Sequence, residues 1–139
     1  MNFFLDTSIC VDVLRTNGPQ KSFELFESFS EEKNTGIISV ITIADLSAGA
    51  ALSPRNDAMK KTEELLAYVR IVELDESVAM AGGRIYAKLS KAGRKIEFND
   101  CLIAATAQSL GMREIVTRNC EHFNRIDGCS ATIPENLSF

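Results

Sequence analysis

Short apolar runs alternate along the chain with longer stretches in which apolar side chains recur every three or four positions. The run at 3–5 predicts a short buried strand, and the runs at 37–40, 69–74 and 114–117 predict three more strands; the run at 131–133 predicts a short fifth strand. The longer stretches have the spacing of amphipathic helices. This alternation predicts a three-layer α/β/α fold, with a four- to five-stranded parallel sheet covered by helices on both faces.

Polar residues and prolines mark the expected ends of these helices. Thr42 is expected to begin the third helix, Pro54 to occupy the first position of the fourth, and Asp75 to cap the fifth, which ends at Gly93. The predicted helices are 7–14, 23–29, 42–50, 54–66, 76–91 and 99–110.

The chain has 139 residues, 45% of them hydrophobic, and no long polar tract, so we expect one domain spanning 1–139. Residues 1–6 lack the basic start and apolar run of a signal peptide. The most apolar region, 37–52, is interrupted by Thr42, Asp45 and Ser47. We therefore expect a soluble, cytoplasmic protein with no membrane association.

The inventory of reactive side chains excludes several common chemistries. The single histidine, His122, cannot supply the acid and base pair of a metal-free ribonuclease. No Gly-rich phosphate loop, Ser-His-Asp set or C-x-x-C pair occurs. The cysteines are expected to be reduced and mostly packed in the interior; they are Cys10, Cys101, Cys120 and Cys129.

Four oxygen-bearing side chains are predicted at one edge of the sheet. Asp6 ends the first strand, Asp45 follows the second, Asp100 opens the helix before the fourth, and Asn119 follows the fourth. Ligands of open α/β sheets bind beyond the carboxyl ends of the strands. Helix capping or a helix dipole explains each aspartate taken singly.

Taken together, the aspartates indicate a cation. Three carboxylates within about 5 Å of each other would repel by roughly 3 kcal/mol per pair at an effective dielectric near 20. An oxygen-only ligand set suits Mg²⁺ or Mn²⁺ better than zinc. Such an ion orients a water, lowers its pKa and stabilises charge on a phosphate under attack, which is the chemistry of a nuclease.

A basic stripe lies on a chain whose formal net charge is −4. Its residues recur at helical spacing along the fifth predicted helix and its exit: Arg84, Lys88, Lys91 and Lys95. Contact with RNA phosphates and a solvated helix face are both open interpretations of this stripe. The acidic total argues against a surface that is basic throughout.

Four motifs, in order along nearly the whole chain, resemble those of the PIN domain and, within that superfamily, those of the VapC toxins of prokaryotic toxin-antitoxin pairs. They are FLDTS at 4–8, ITIADL at 41–46, NDCLIAATA at 99–107 and VTRNCEHF at 116–123. The resemblance implies a Mg²⁺- or Mn²⁺-dependent endoribonuclease that hydrolyses RNA phosphodiester bonds with metal-activated water. It also implies inhibition by a VapB-type antitoxin and a homodimer.

The resemblance assigns roles to individual residues. Asp6 and Asp100 match the family's metal-binding aspartates, and Asp45 stands where the family usually has glutamate. Asn119 stands where many members have a further aspartate, and it is expected to assist catalysis while weakening a second metal site. One or two ions are compatible with this set.

Other polar residues are assigned to the same edge. Thr7, Ser8 and Thr117 match small hydroxyl positions that hold metal-bound water, although local capping explains each equally well. Glu97, three residues before Asp100, is a further candidate. His122 is expected to be structural and close to the site.

Two other functions remain open. A PIN domain that has lost productive metal binding through Asp45 and Asn119 would act only as a module for binding protein or RNA. A phosphoryl-transfer enzyme with Asp6 as its nucleophile is a poorer match, because Ser8 stands where a second aspartate is expected.

Overall fold

The computed structural model describes residues 1–139, and its centre is a sheet of five parallel strands in the order β3-β2-β1-β4-β5. The strands are β1 (Asn2–Leu5), β2 (Thr35–Ser39), β3 (Val69–Val72), β4 (Glu114–Val116) and β5 (Ser130–Thr132). The predicted fold class, a parallel sheet flanked by helices, is confirmed.

Seven helices connect and cover the strands. They are α1 (Thr7–Leu14), α2 (Gln20–Ser30), α3 (Val40–Leu52), α4 (Ala58–Leu66), α5 (Glu76–Lys91), α6 (Phe98–Ser109) and α7 (Cys120–Asn124). A short 3-10 helix, Pro134–Asn136, follows β5. The sequence did not predict α7, because a helix of five residues with only Phe123 buried is too short to show a helical period.

Alternation along β1 divides the apolar core between the two faces of the sheet. Phe3 and Leu5 belong to one buried cluster, which includes Leu25 of α2. Phe4 belongs to the other, which includes Ile103 of α6. Complete burial of a side chain of this size stabilises the fold by about 1.5 to 3 kcal/mol, so this central strand is anchored from both sides.

The start of α3 differs from the prediction. The helix begins at Val40, which was predicted to end the strand, and Ser39 is its cap, accepting a hydrogen bond from the Ile41 N–H at 3.1 Å. Thr42, the predicted start, lies inside the first turn and is buried, with its hydroxyl 3.0 Å from that of Thr7. The Thr42 hydroxyl therefore serves a tertiary contact rather than a cap.

The start of α4 was also predicted wrongly. Pro54 lies in a bend before the helix, which begins at Ala58. The Ser53 hydroxyl accepts a hydrogen bond from the Arg55 N–H at 3.2 Å. This local bond stabilises a turn in competition with the helix.

The order of the strands places an open edge beside β1. β2 and β3 lie on one side of β1 and β4 and β5 on the other, so β1 and β4 flank the point where the connections change direction. Leu5 pairs with Val116, and the Asp6 N–H donates to the Val116 carbonyl at 2.9 Å. The residues that follow β1 and β4 are therefore direct neighbours.

Two negative findings complete the fold. No helix of the chain has the length and apolar character needed to cross a membrane. All four cysteines are unpaired; Cys10 and Cys101 are buried and the other two are partly buried.

Candidate active site

Asp6 is almost completely buried at the end of β1, with 2% of its surface exposed. Its carboxylate Oδ2 accepts hydrogen bonds from the hydroxyls of Ser8 at 2.7 Å and Thr117 at 2.8 Å. Its Oδ1 accepts none from the protein. One oxygen therefore fixes the side chain, and the other keeps its lone pairs for a ligand.

Asp100 lies in the first turn of α6, where burial and then the nearby charge of Asp6 raise the pKa of its carboxyl group to about 6. His122 opposes this shift, since its Nδ1 lies 3.6 Å from Asp100 Oδ2. That Nδ1 is buried and has no hydrogen-bond partner. Glu97 is exposed, and it contributes least to the raised pKa.

Asp45 is joined to this pair through neighbouring side chains. Its Oδ2 accepts a hydrogen bond from Thr7 at 2.8 Å, and its Oδ1 accepts one from the amide of Asn99 at 2.8 Å. Thr7 follows Asp6 in the sequence and Asn99 precedes Asp100, so Asp45 bridges the two segments. No three carboxylate, histidine or cysteine side chains lie close enough together to hold a metal ion. The direct convergence of three carboxylates expected from the sequence is therefore absent.

The predicted hydroxyl residues support Asp6. Ser8 and Thr117 each donate to Asp6, and each accepts from a backbone N–H, that of Arg118 and that of Asn119 respectively, at 2.9 Å. Their hydrogens are directed to the carboxylate, so they offer a water only their oxygen lone pairs. The side chain of Asn119 is exposed and makes no hydrogen bond of its own.

A charge cluster centred on the buried Asp12 was not predicted. Arg118 donates to Asp12 at 2.7 Å, to Ser22 at 3.0 Å and to both oxygens of Glu135, at 2.6 and 3.1 Å. It thereby ties α1, α2 and the 3-10 helix to the segment that carries Thr117. The available signal was Asp12, a carboxylate three residues after the apolar Ile9 on a helix whose inward face is apolar.

Two of the four residues in the basic stripe interact with other side chains of the protein. Lys88 forms an ion pair with Asp127, and the ammonium group of Lys95 lies 5.6 Å from the centre of the Tyr86 ring. Arg84 and Lys91 form no ion pair and are exposed. All four cations of the stripe are therefore exposed, but only Arg84 and Lys91 lack a partner within the protein.

The donor set fits a hard divalent cation. Asp6 has a carboxylate oxygen without a partner, and burial and the charge of Asp6 destabilise the ionised form of Asp100. Asp45 is half-buried, and each of its carboxylate oxygens accepts only one hydrogen bond. A cation beside Asp6 and Asp100 would replace their repulsion by attraction. Two carboxylates, with waters as the further ligands, are thus suited to holding such an ion and to stabilising negative charge next to it.

Comparison with known proteins places the chain in a family of nucleases. The model of the PIN domain matches residues 3–128. Ribonuclease VapC2 of Haemophilus influenzae is 33% identical over 129 residues, which are 91% of this chain and 92% of the relative. The tRNA(fMet)-specific endonuclease VapC of Shigella flexneri is 31% identical over 131 residues, 92% of this chain and 94% of the relative.

A solved structure agrees with the sequence relatives. DNA-bound VapBC from Salmonella typhimurium contains a chain that superposes with a TM-score of 0.82 at 29% identity, covering 96% of this chain and 98% of that one. The similarity therefore includes the whole sheet and the helices that carry the aspartates.

Proposed function

The chain belongs to the PIN domain family, as the VapC ribonucleases do, and we propose that it is a divalent-metal-dependent endoribonuclease, the toxin of a VapBC-type toxin-antitoxin pair. The observation that carries this proposal is the pair formed by Asp6 and Asp100 at the open edge of the sheet. Asp6 is buried, and burial together with the charge of Asp6 raises the pKa of Asp100. Folding alone gives no reason to hold two carboxylates together there.

The roles of the side chains follow from their contacts. Asp6 and Asp100 would hold the ion, with Asp45 as a third ligand, reached directly or through a water. PIN-domain nucleases generally depend on divalent metal ions, and Mg²⁺ or Mn²⁺ suits oxygen ligands best. When bound, the ion activates a water and stabilises charge on the phosphate. Ser8 and Thr117 keep the Asp6 carboxylate in one orientation, and Thr7 and Asn99 do the same for Asp45.

The remaining assignments rest on the family. We propose that residues 1–139 form one nuclease domain in a cytoplasmic homodimer that is inhibited by a VapB-type antitoxin, because the similar Salmonella protein is a VapBC complex. Among RNA substrates, initiator tRNA is the first to test, since a relative at 31% identity is named a tRNA(fMet)-specific endonuclease.

The chemistry of the RNA ends tests this proposal. Attack by water leaves a linear phosphate, whereas attack by the RNA's own 2′-hydroxyl leaves a 2′,3′-cyclic phosphate. We expect Mg²⁺ or Mn²⁺ to restore cleavage of a mixed RNA pool after EDTA treatment, with linear phosphate ends by mass spectrometry. Cyclic ends formed in EDTA would contradict the proposal, and absence of both cleavage and ion binding would favour a PIN domain that only binds other molecules.

Asn119 offers a test by gain of function. Its side chain is exposed and makes no hydrogen bond, so Asn119→Asp adds a charge near the site without breaking a contact. We expect the Mg²⁺ concentration for half-maximal cleavage to fall by roughly 3- to 10-fold, which corresponds to about 0.7 to 1.4 kcal/mol. Asn56→Asp, an exposed position in the turn before α4, is the control. Equal responses of the two variants would show that Asn119 lies outside the metal site.

A further inference from the structure

A cleft on the surface lies between α5, the last part of α6 and the segment that follows α7. Its volume is about 350 Å³, within the range of small-molecule pockets. The apolar side chains that line it include Ile85, Leu89 and Ile126. The cleft therefore has an apolar surface large enough to contact a flat ring system.

Cations surround this apolar surface. Those that line the cleft are Arg84, Lys88, Arg94 and Arg125, and the only acidic residue among the lining residues is Asp127. Lys88 pairs with Asp127, and Arg125 pairs with Glu121 and donates to the Lys95 carbonyl at 3.2 Å.

Two of these cations make no direct contact with an acidic side chain, although Lys88, through its hydrogen bond and charge, and then the charge of Arg94 lower the pKa of Asp127. Arg84 and Arg94 are exposed and make no side-chain hydrogen bond or ion pair. A guanidinium group can donate two parallel hydrogen bonds to a phosphate and can stack on a base. A positive cleft on a chain with a net charge of −4 is complementary to a polyanion.

One short helix joins the cleft to the active site. His122 of α7 lies 3.6 Å from Asp100, and Arg125, immediately after α7, lines the cleft. A strand of RNA that leaves the aspartates along α7 would therefore reach the cleft within a few nucleotides.

We propose that this cleft binds one nucleotide of single-stranded RNA flanking the bond to be cut, with the base on the apolar surface and phosphates on Arg84 and Arg94. The inference rests on the proposed nuclease function and adds to it a second RNA contact. It also changes which cations are proposed to contact RNA. Lys91 and Lys95 of the predicted basic stripe do not line the cleft, whereas Arg94 and Arg125 do. The apolar side chains proposed to face the base offer no hydrogen-bond donor or acceptor, so we expect little discrimination among bases.

The test compares two double variants that lose the same charge. R84A/R94A removes the free arginines of the cleft, and K60A/R70A removes two exposed, unpaired cations of α4 and β3. Binding of a fluorescent single-stranded RNA is measured in EDTA, so that no cutting is needed. For R84A/R94A we expect Kd to rise about 10-fold or more and the salt slope of log K to fall by roughly 1.4. For K60A/R70A we expect less than a 2-fold change.

Cleavage kinetics in Mg²⁺ separate this inference from the proposed function. For the cleft variant, KM should rise more than kcat falls. If wild type cuts RNA and the two double variants have equal Kd and KM, the cleft does not bind RNA, although the nuclease function stands. If R84A/R94A weakens binding of the antitoxin and leaves RNA binding intact, the cleft is a protein-binding surface and the proposal is wrong. If wild type cuts no RNA, the proposed nuclease function is wrong, but the binding measurements in EDTA still show whether the cleft binds RNA.

Discussion

Asp100→Asn is expected to reduce RNA cleavage at least 100-fold while leaving the metal-free protein no less stable than wild type. Loss of one preorganised charge-stabilising group in an active site typically lowers kcat by about 10² to 10³. Without a cation, however, the ionised Asp100 opposes folding, because burial and Asp6 both raise its pKa. Removal of this charge should therefore keep or raise Tm in EDTA, by roughly 3 to 5 °C for each kcal/mol gained.

Addition of the cation should make wild type more stable than Asp100→Asn. At about 100 times its Kd, a bound ion stabilises the folded state by about 2.7 kcal/mol. Wild type should therefore gain several degrees in Mg²⁺ or Mn²⁺, and Asp100→Asn should gain little. Asp75→Asn is the matched control, since Asp75 caps α5 and asparagine caps equally well. If Asp100 had only a structural role, Asp100→Asn would instead be less stable than wild type in EDTA and would cut RNA at the wild-type rate.

Arg118→Met is expected to give the largest loss of stability. Asp12 is 3% exposed, and its carboxylate accepts hydrogen bonds from Arg118 and Ser22. Methionine removes this cation and leaves the buried carboxylate with only the largely exposed Arg15, at 4.0 Å, as a charged partner. Breaking a buried ion pair in this way costs about 3 to 5 kcal/mol; since a quarter of the Arg118 side chain is exposed, we expect the lower end of that range. Urea unfolding measures the difference.

Arg15→Met is the control for this prediction. Arg15 also approaches Asp12, at 4.0 Å, but its side chain is 66% exposed. An exposed pair of this kind contributes about 0.2 to 1 kcal/mol. Comparable losses for the two variants would mean that burial of Asp12 does not determine the energetics of the cluster.

The fold was largely predictable because the strongest signals are local. Phe3-Phe4-Leu5 predicted a buried central strand, and Asp75 predicted the start of α5, where its side chain accepts from the Val78 N–H at 2.9 Å. The errors in the helix starts occurred where a polar side chain could either cap a helix or make a different hydrogen bond. Thr42 and Ser53 both fit helix starts, and their actual hydrogen bonds lie elsewhere.

The edge of the sheet that holds the candidate site was predictable from the strand ends, but the contacts within it were not. The bond between Asn99 and Asp45 joins residues 54 positions apart, and that between Arg118 and Asp12 joins residues 106 positions apart. Such pairs depend on how α3, α6 and the β4–α7 segment pack. No periodicity or spacing in one sequence specifies that packing.

The measurement that tests the central claim most directly is cleavage of a mixed RNA pool containing initiator tRNA in Mg²⁺ by wild type, Asp6→Asn, Asp100→Asn and the Asp75→Asn control. We predict that wild type and Asp75→Asn cut the RNA, that both require the ion, and that neither active-site variant cuts above the EDTA background. Cleavage by Asp6→Asn or Asp100→Asn at the wild-type rate would contradict the claim that these two carboxylates form the metal site of a ribonuclease.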